Sequence, residues 1–115
     1  MGLFGFGKRG GSILAVVTYE GPGRLRLNGV RDASGRAKKG AAAHDRTVCW
    51  LLFDSAGVPV DQGLGRAAMQ AGQADRLLRD LPKNPTCRAI IDRLRQGEES
   101  VGKWLQLGEP AAGRS

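Results

Sequence analysis

Thr47-Val48-Cys49-Trp50-Leu51-Leu52-Phe53 is the most hydrophobic run in the chain, and the fold follows from how it is read. A membrane span needs roughly 20 consecutive apolar residues, so seven cannot cross a bilayer. A short run rich in β-branched and aromatic residues, closed by Asp54, Ser55, Ala56 and Gly57, is the pattern of a central strand buried on both faces. The closing residues place Asp first and Gly last, as a type I turn followed by a left-handed position prefers. Val58 to Gln62 then returns as a strand with Val58 and Val60 on one face. Pro59 has no N–H to give a ladder, so this strand belongs at a sheet edge.

Upstream, Ser12 to Tyr19 (SILAVVTY) is a second nearly continuous apolar run and reads as another strand. The breakers Glu20-Gly21-Pro22-Gly23 turn the chain into Arg24 to Val30 (RLRLNGV). Alternation sets Leu25 and Leu27 on one side of that strand and Arg24, Arg26 and Asn28 on the other. Downstream the period changes. Ala67, Ala71, Ala74, Leu78 and Leu81 recur at three and four residues, which predicts an amphipathic helix over 66–81 ended by Pro82, with Gly72 as a weak point. Asn84-Pro85 is a cap residue followed by proline at the first helical position. It opens a second helix whose buried stripe is Cys87, Ile90, Ile91 and Leu94, stopped at Gly97. Residues 98–107 read as one more helical turn, with a short final strand over 104–107 as the alternative and Trp104 folded back as a lid on the core.

The fold these patterns predict is α+β: a small antiparallel sheet of about four strands, built as two hairpins, followed by two helices packed on one face. Residues 12–107 form the single domain, 1–11 a flexible glycine-rich basic arm, and 108–115 a disordered tail. The core must be thin. Leu, Val, Ile and Phe together make 26 of 115 residues, while 18 glycines and 14 alanines bury little area. At about 25 cal/mol per Å² of apolar surface, such a core leaves a narrow margin over chain entropy.

The net charge of +7 is unevenly spread. Residues 1–50 hold nine Lys or Arg against Glu20, Asp32 and Asp45, whereas residues 51–115 are close to balanced. One face made for polyanions is the expectation. Arg31 to Arg46 (RDASGRAKKGAAAHDR) contains no hydrophobic residue larger than alanine, although hairpin loops usually run about two to five residues. It reads as a long unstructured basic loop carrying Arg31, Arg36, Lys38, Lys39 and Arg46. Together with Arg24 and Arg26 these are the candidate phosphate contacts of a nucleic-acid-binding protein, DNA or RNA, with little sequence preference because no recognition-helix motif is present. The alternative is a non-catalytic interaction or scaffold subunit. Its contacts would be the edge residues Val58 and Val60 and an N-terminal hook of Leu3, Phe4 and Phe6, engaging a protein partner or a second copy.

Catalytic, metal-binding and cofactor-binding residues are not expected. Gly5 to Gly10 matches G-x-G-x-x-G on paper but has neither a strand before it nor a helix after it. His44 is the one histidine and lacks companion ligands at close spacing, and Asp54 and Asp61 are more simply turn formers. Cys49 and Cys87 sit inside apolar patterns as small buried hydrophobes, which with the lack of an N-terminal apolar targeting segment suggests a reducing, cytoplasmic setting.

Overall fold

The computed structural model describes residues 11–32, 34–98 and 100–105, the last six by their backbone. The proposed hook at Leu3, Phe4 and Phe6 and the tail at 108–115 lie outside the described residues. Both expected hairpins form: β1 (Ile13–Gly21) with β2 (Arg24–Arg31), and β3 (Thr47–Phe53) with β4 (Pro59–Leu64). They join through an antiparallel β1–β3 pairing in which Val17 meets Cys49 and Ala15 meets Leu51. The result is the predicted α+β sheet. β3 lies inside it with both faces covered, and β4 is an edge, as Pro59 requires. In the β3–β4 turn the Asp54 carboxylate accepts from the Ala56 and Val58 amides at 2.9 and 3.0 Å, and Gly57 takes φ 87°.

A fifth strand, β5 (Ser100–Leu105), corrects the helical reading of 98–107. It pairs antiparallel with β2, from Leu25 opposite Leu105 to Val30 opposite Ser100, so the sheet order is β4-β3-β1-β2-β5. A weak local helical period loses here to the unpaired ladder of β2, which the chain can reach once Gly97 reverses it at φ 115°. The expected Trp104 lid concerns a side chain outside the described ones.

The sheet face carrying Ile13, Ala15, Val17, Leu27, Cys49, Leu51 and Phe53 is the core face, and helices cover it. The helix expected over 66–81 is two pieces, α2 (Ala68–Ala71) and α3 (Ala74–Asp80), continued by a 3-10 turn at Leu81–Lys83. Gly72 does more than weaken it: at φ 70° it caps α2 in the left-handed conformation, its amide returning to Ala68 O at 3.2 Å. The early turns offer only alanine to the core, too little apolar area to hold a continuous rod against that favourable stop. α4 (Pro85–Arg95) begins as predicted. Asn84 Oδ1 accepts from the Thr86 and Cys87 amides at 2.9 and 3.2 Å, and Cys87, Ile90, Ile91 and Leu94 are buried. α4 approaches β2 at Gly29, where a Cβ would run into Ile90 Cγ2 and Leu94 Cδ1 and force them to shift.

The opposite face carries the largest departure from expectation. Residues 31–46 are not an unstructured loop, because α1 (Arg36–Ala43) occupies half of them. Three features let so polar a stretch fold. Alanine has the highest helix propensity. Ala37 and Ala41 pack against Leu14, Val16, Trp50 and Leu52. Asp32, only 5% exposed, accepts from the Ala37 and Lys38 amides at 3.1 Å each, satisfying two donors of the first turn.

Candidate nucleic-acid interface on the α1 face

β2 alternates, and its register decides where its arginines go. Leu25 and Leu27 turn toward the core helices, whereas Val30 packs in the α1 cluster, so Arg24, Arg26 and Asn28 share the α1 side of the sheet. The main contacts of α1 are with β3 and β1. Arg24 and Arg26 are exposed on this side, and α1 adds Arg36, Lys38 and Lys39 to it. Five of the seven candidate phosphate contacts therefore fall on one face.

The other two are employed differently. Arg31 follows the parity of Leu27 and turns to the opposite side, where its guanidinium donates to the Leu94 carbonyl in the last turn of α4, joining the Gly97 amide there and placing a cation at the negative end of the helix dipole. Arg46 stands at the end of β3 and donates through Nε to Tyr19 O at 3.3 Å and through Nη2 to Glu20 at 3.2 Å.

Within the face the groups differ in readiness. Lys38 Nζ lies 5.4 Å from the Trp50 ring centroid and 2.7 Å from Asp61 Oδ2, bridging α1 to β3 and β4. The hydrogen bond from Lys38 comes first among the causes that hold the Asp61 carboxyl below the usual range, followed by one from the Gln62 amide. Trp50 in turn lies flat on Gly63, where a Cβ would come within 2.5 Å of Cζ2. Lys38 is thus first an anchor for α1. Arg26, Arg36 and Lys39 are exposed and, among the described residues, their charged groups make no ion pair or hydrogen bond. On the core-helix side Arg76, Arg93 and Arg95 face Asp80, Glu98 and Asp92, whereas exposed Arg79, Lys83 and Arg88 make no ion pair among the described residues.

The groups with chemical potential are quiet. Cys49 and Cys87 are fully buried free thiols, each pushed up to about 12 chiefly by burial, so neither is a thiolate nucleophile at neutral pH. Exposed His44 Nδ1 accepts from the Arg46 amide at 3.0 Å, a turn contact. Among the described residues no group of three His, Cys, Asp or Glu side chains is placed to hold a metal ion, and no helix is long and apolar enough to cross a membrane.

A second surface lies at the far edge. Val58 and Val60 stand 53% and 56% exposed, and the structure adds two residues that the sequence reading missed, Leu64 at 49% and Met69 at 91%. Met69 had a signal, since it is the one large apolar residue of its segment that falls off the Ala67, Ala71, Ala74 stripe. Leu64 and Met69 border an open groove of about 510 Å³ shared with Ala68, Gln73, Arg76 and Arg79. No family model, curated protein or solved structure matches the chain.

Proposed function

We propose that the protein is a non-catalytic nucleic-acid-binding module that grips the phosphate backbone with the α1 face of its sheet. The observation that carries this reading is the set Arg26, Arg36 and Lys39, exposed on one side and carrying no acidic partner among the described residues. Unneutralised cations on one face gain by releasing the counterions of a polyanion. Arg24 extends the same row, and Lys38 contributes when Asp61 is displaced. Binding of this kind reads little sequence, because phosphate contacts position a protein without specifying bases. The two free thiols in the core support a reducing compartment, the cytoplasm.

Fluorescence anisotropy with labelled single- and double-stranded DNA and RNA across a salt series tests the reading. The Arg36→Ala, Lys39→Ala double variant is expected to weaken binding to all of them and to lower the slope of log affinity against log salt by about 1 per lost contact. Arg31→Ala, on the opposite face, leaves that slope unchanged. No binding at low salt, or a slope indifferent to the double variant, overturns it. The exposed apolar edge at β4 favours a second reading, an interaction subunit, and its occupant can be specified further.

A further inference from the structure

We infer that β4 is a homodimer edge: two copies of this chain pair their β4 strands antiparallel about Gln62, joining two five-stranded sheets into one continuous sheet. The inference rests on the second reading above, that β4 is an interaction edge, and is independent of nucleic-acid binding. β4 ends the sheet order, and all four large hydrophobic residues exposed among the described ones, Val58, Val60, Leu64 and Met69, lie on it or beside it.

Its outward backbone groups are known from the register. Gly65 N donates to Val48 O at 2.8 Å, so the alternate residues Gly63 and Asp61, opposite Trp50 and Leu52, turn inward to β3, while Gln62 and Leu64 turn outward. Accordingly the Gln62 amide is outside the ladder and is met only by Asp61 Oδ1 of its own chain, at 2.9 Å.

The choice of a second copy over another extended chain comes from the symmetry of Val60-Asp61-Gln62-Gly63-Leu64. Antiparallel self-pairing about Gln62 sets Val60 opposite Leu64 twice and Gln62 opposite itself. The single charge in the strand, Asp61, falls opposite Gly63 rather than opposite its own copy, and it already holds Lys38. Charged gatekeepers that protect other sheet edges are missing from the outward positions, and Pro59 confines the pairing to these five residues. A twofold axis through such a pair stands perpendicular to the sheet and keeps both α1 helices on the same side. Lys38 reaches β4 from α1, so the two basic faces become neighbours, and a polyanion spanning both gains by avidity.

Sedimentation equilibrium of the full chain without nucleic acid, from micromolar to millimolar concentration, tests the inference. The expected mass rises from 12.2 kDa toward twice that value. Val60→Lys puts a charge against Leu64, and Gln62→Pro removes an outward N–H that β3 does not use. Each is expected to raise the dimer dissociation constant about tenfold or more while circular dichroism stays unchanged. A wild-type mass of 12.2 kDa throughout overturns the inference, as does undiminished association of either folded variant. Should the wild type stay monomeric yet retain a different chain that Val60→Lys loses, self-pairing fails and the interaction edge itself survives.

Discussion

The two faces of this sheet are covered by different physics. Toward α3 and α4 the sheet buries Ile13, Val17, Leu27, Leu51 and Phe53 against Leu77, Leu81, Ile90 and Leu94, each 2% exposed or less. Toward α1 the buried hydrophobic cluster among the described residues is Leu14, Ala41 and Trp50. Full burial of a Leu or Phe stabilises by about 1.5–3 kcal/mol, so the first face is held chiefly by hydrophobic area. The alanines of α1 contribute far less, so polar anchors take a larger share in docking this helix. Those anchors are the Asp32 cap and the Lys38 bridge to Asp61 and Trp50. A thin sequence core is therefore not thin everywhere. It is concentrated on one face, while the other adds the exposed cations Arg26, Arg36 and Lys39 to those of the core helices.

The sharpest way to break this contrast is at Phe53. Phe53→Ala is expected to cost about 3–5 kcal/mol in urea unfolding, close to the total stability of a marginal domain. A loss under 1 kcal/mol would mean that the helix face is not the main core. Next come two glycines that test the closeness of each layer. Gly29→Ala drives a Cβ into Ile90 and Leu94, and Gly63→Ala drives one into the Trp50 ring. Both are expected to cost about 1–3 kcal/mol, but only Gly63→Ala should shift the Trp50 indole resonance and increase amide exchange in α1. Equal exchange effects from both would erase the distinction between the faces.

Removing caps is gentler and more selective. Asp32→Ala and Asn84→Ala are each expected to cost about 1 kcal/mol. In hydrogen exchange the first accelerates the α1 amides while leaving α4 protected, because α1 opens locally; the second lowers protection across the core. Smallest is the response of Asp61. Its folded value lies below the roughly 3.9 of an unpaired aspartate, since Lys38 favours the charged form. The pair therefore contributes stability that is full above about pH 4 and is lost as pH falls through the lower folded value. An NMR titration of Asp61 should show that depressed midpoint, and Lys38→Ala should return it toward normal. An unchanged midpoint in the variant would remove Lys38 as its cause.

Much of the core face was legible because its signals are local. Alternation in Arg24 to Val30, the Asp54 to Gly57 turn, the missing N–H of Pro59 and the Asn84-Pro85 cap each act within a few residues, and each appears where the pattern predicts. Of the candidate site, the row Arg24, Arg26, Arg36, Lys38 and Lys39 could be named from the sequence, but not its shared face. The separation of Arg31 and Arg46 from that row follows from partners 63 and 26 residues away in the chain, Leu94 and Glu20.

The chain order alone thus settled which segments alternate, where they turn and which helix is capped, since steric and hydrogen-bonding preferences of neighbouring residues decide those points. Three outcomes needed the assembled molecule. α1 folds because Trp50 and Asp32 are there to receive it, the helix over 66–81 divides at Gly72 because its alanines win too little area from the sheet, and residues 100–105 extend because β2 has a ladder to share. For α1 and β5 a long-range partner outweighed a weak local preference, whereas at Gly72 the local stop prevailed because the long-range contact was small.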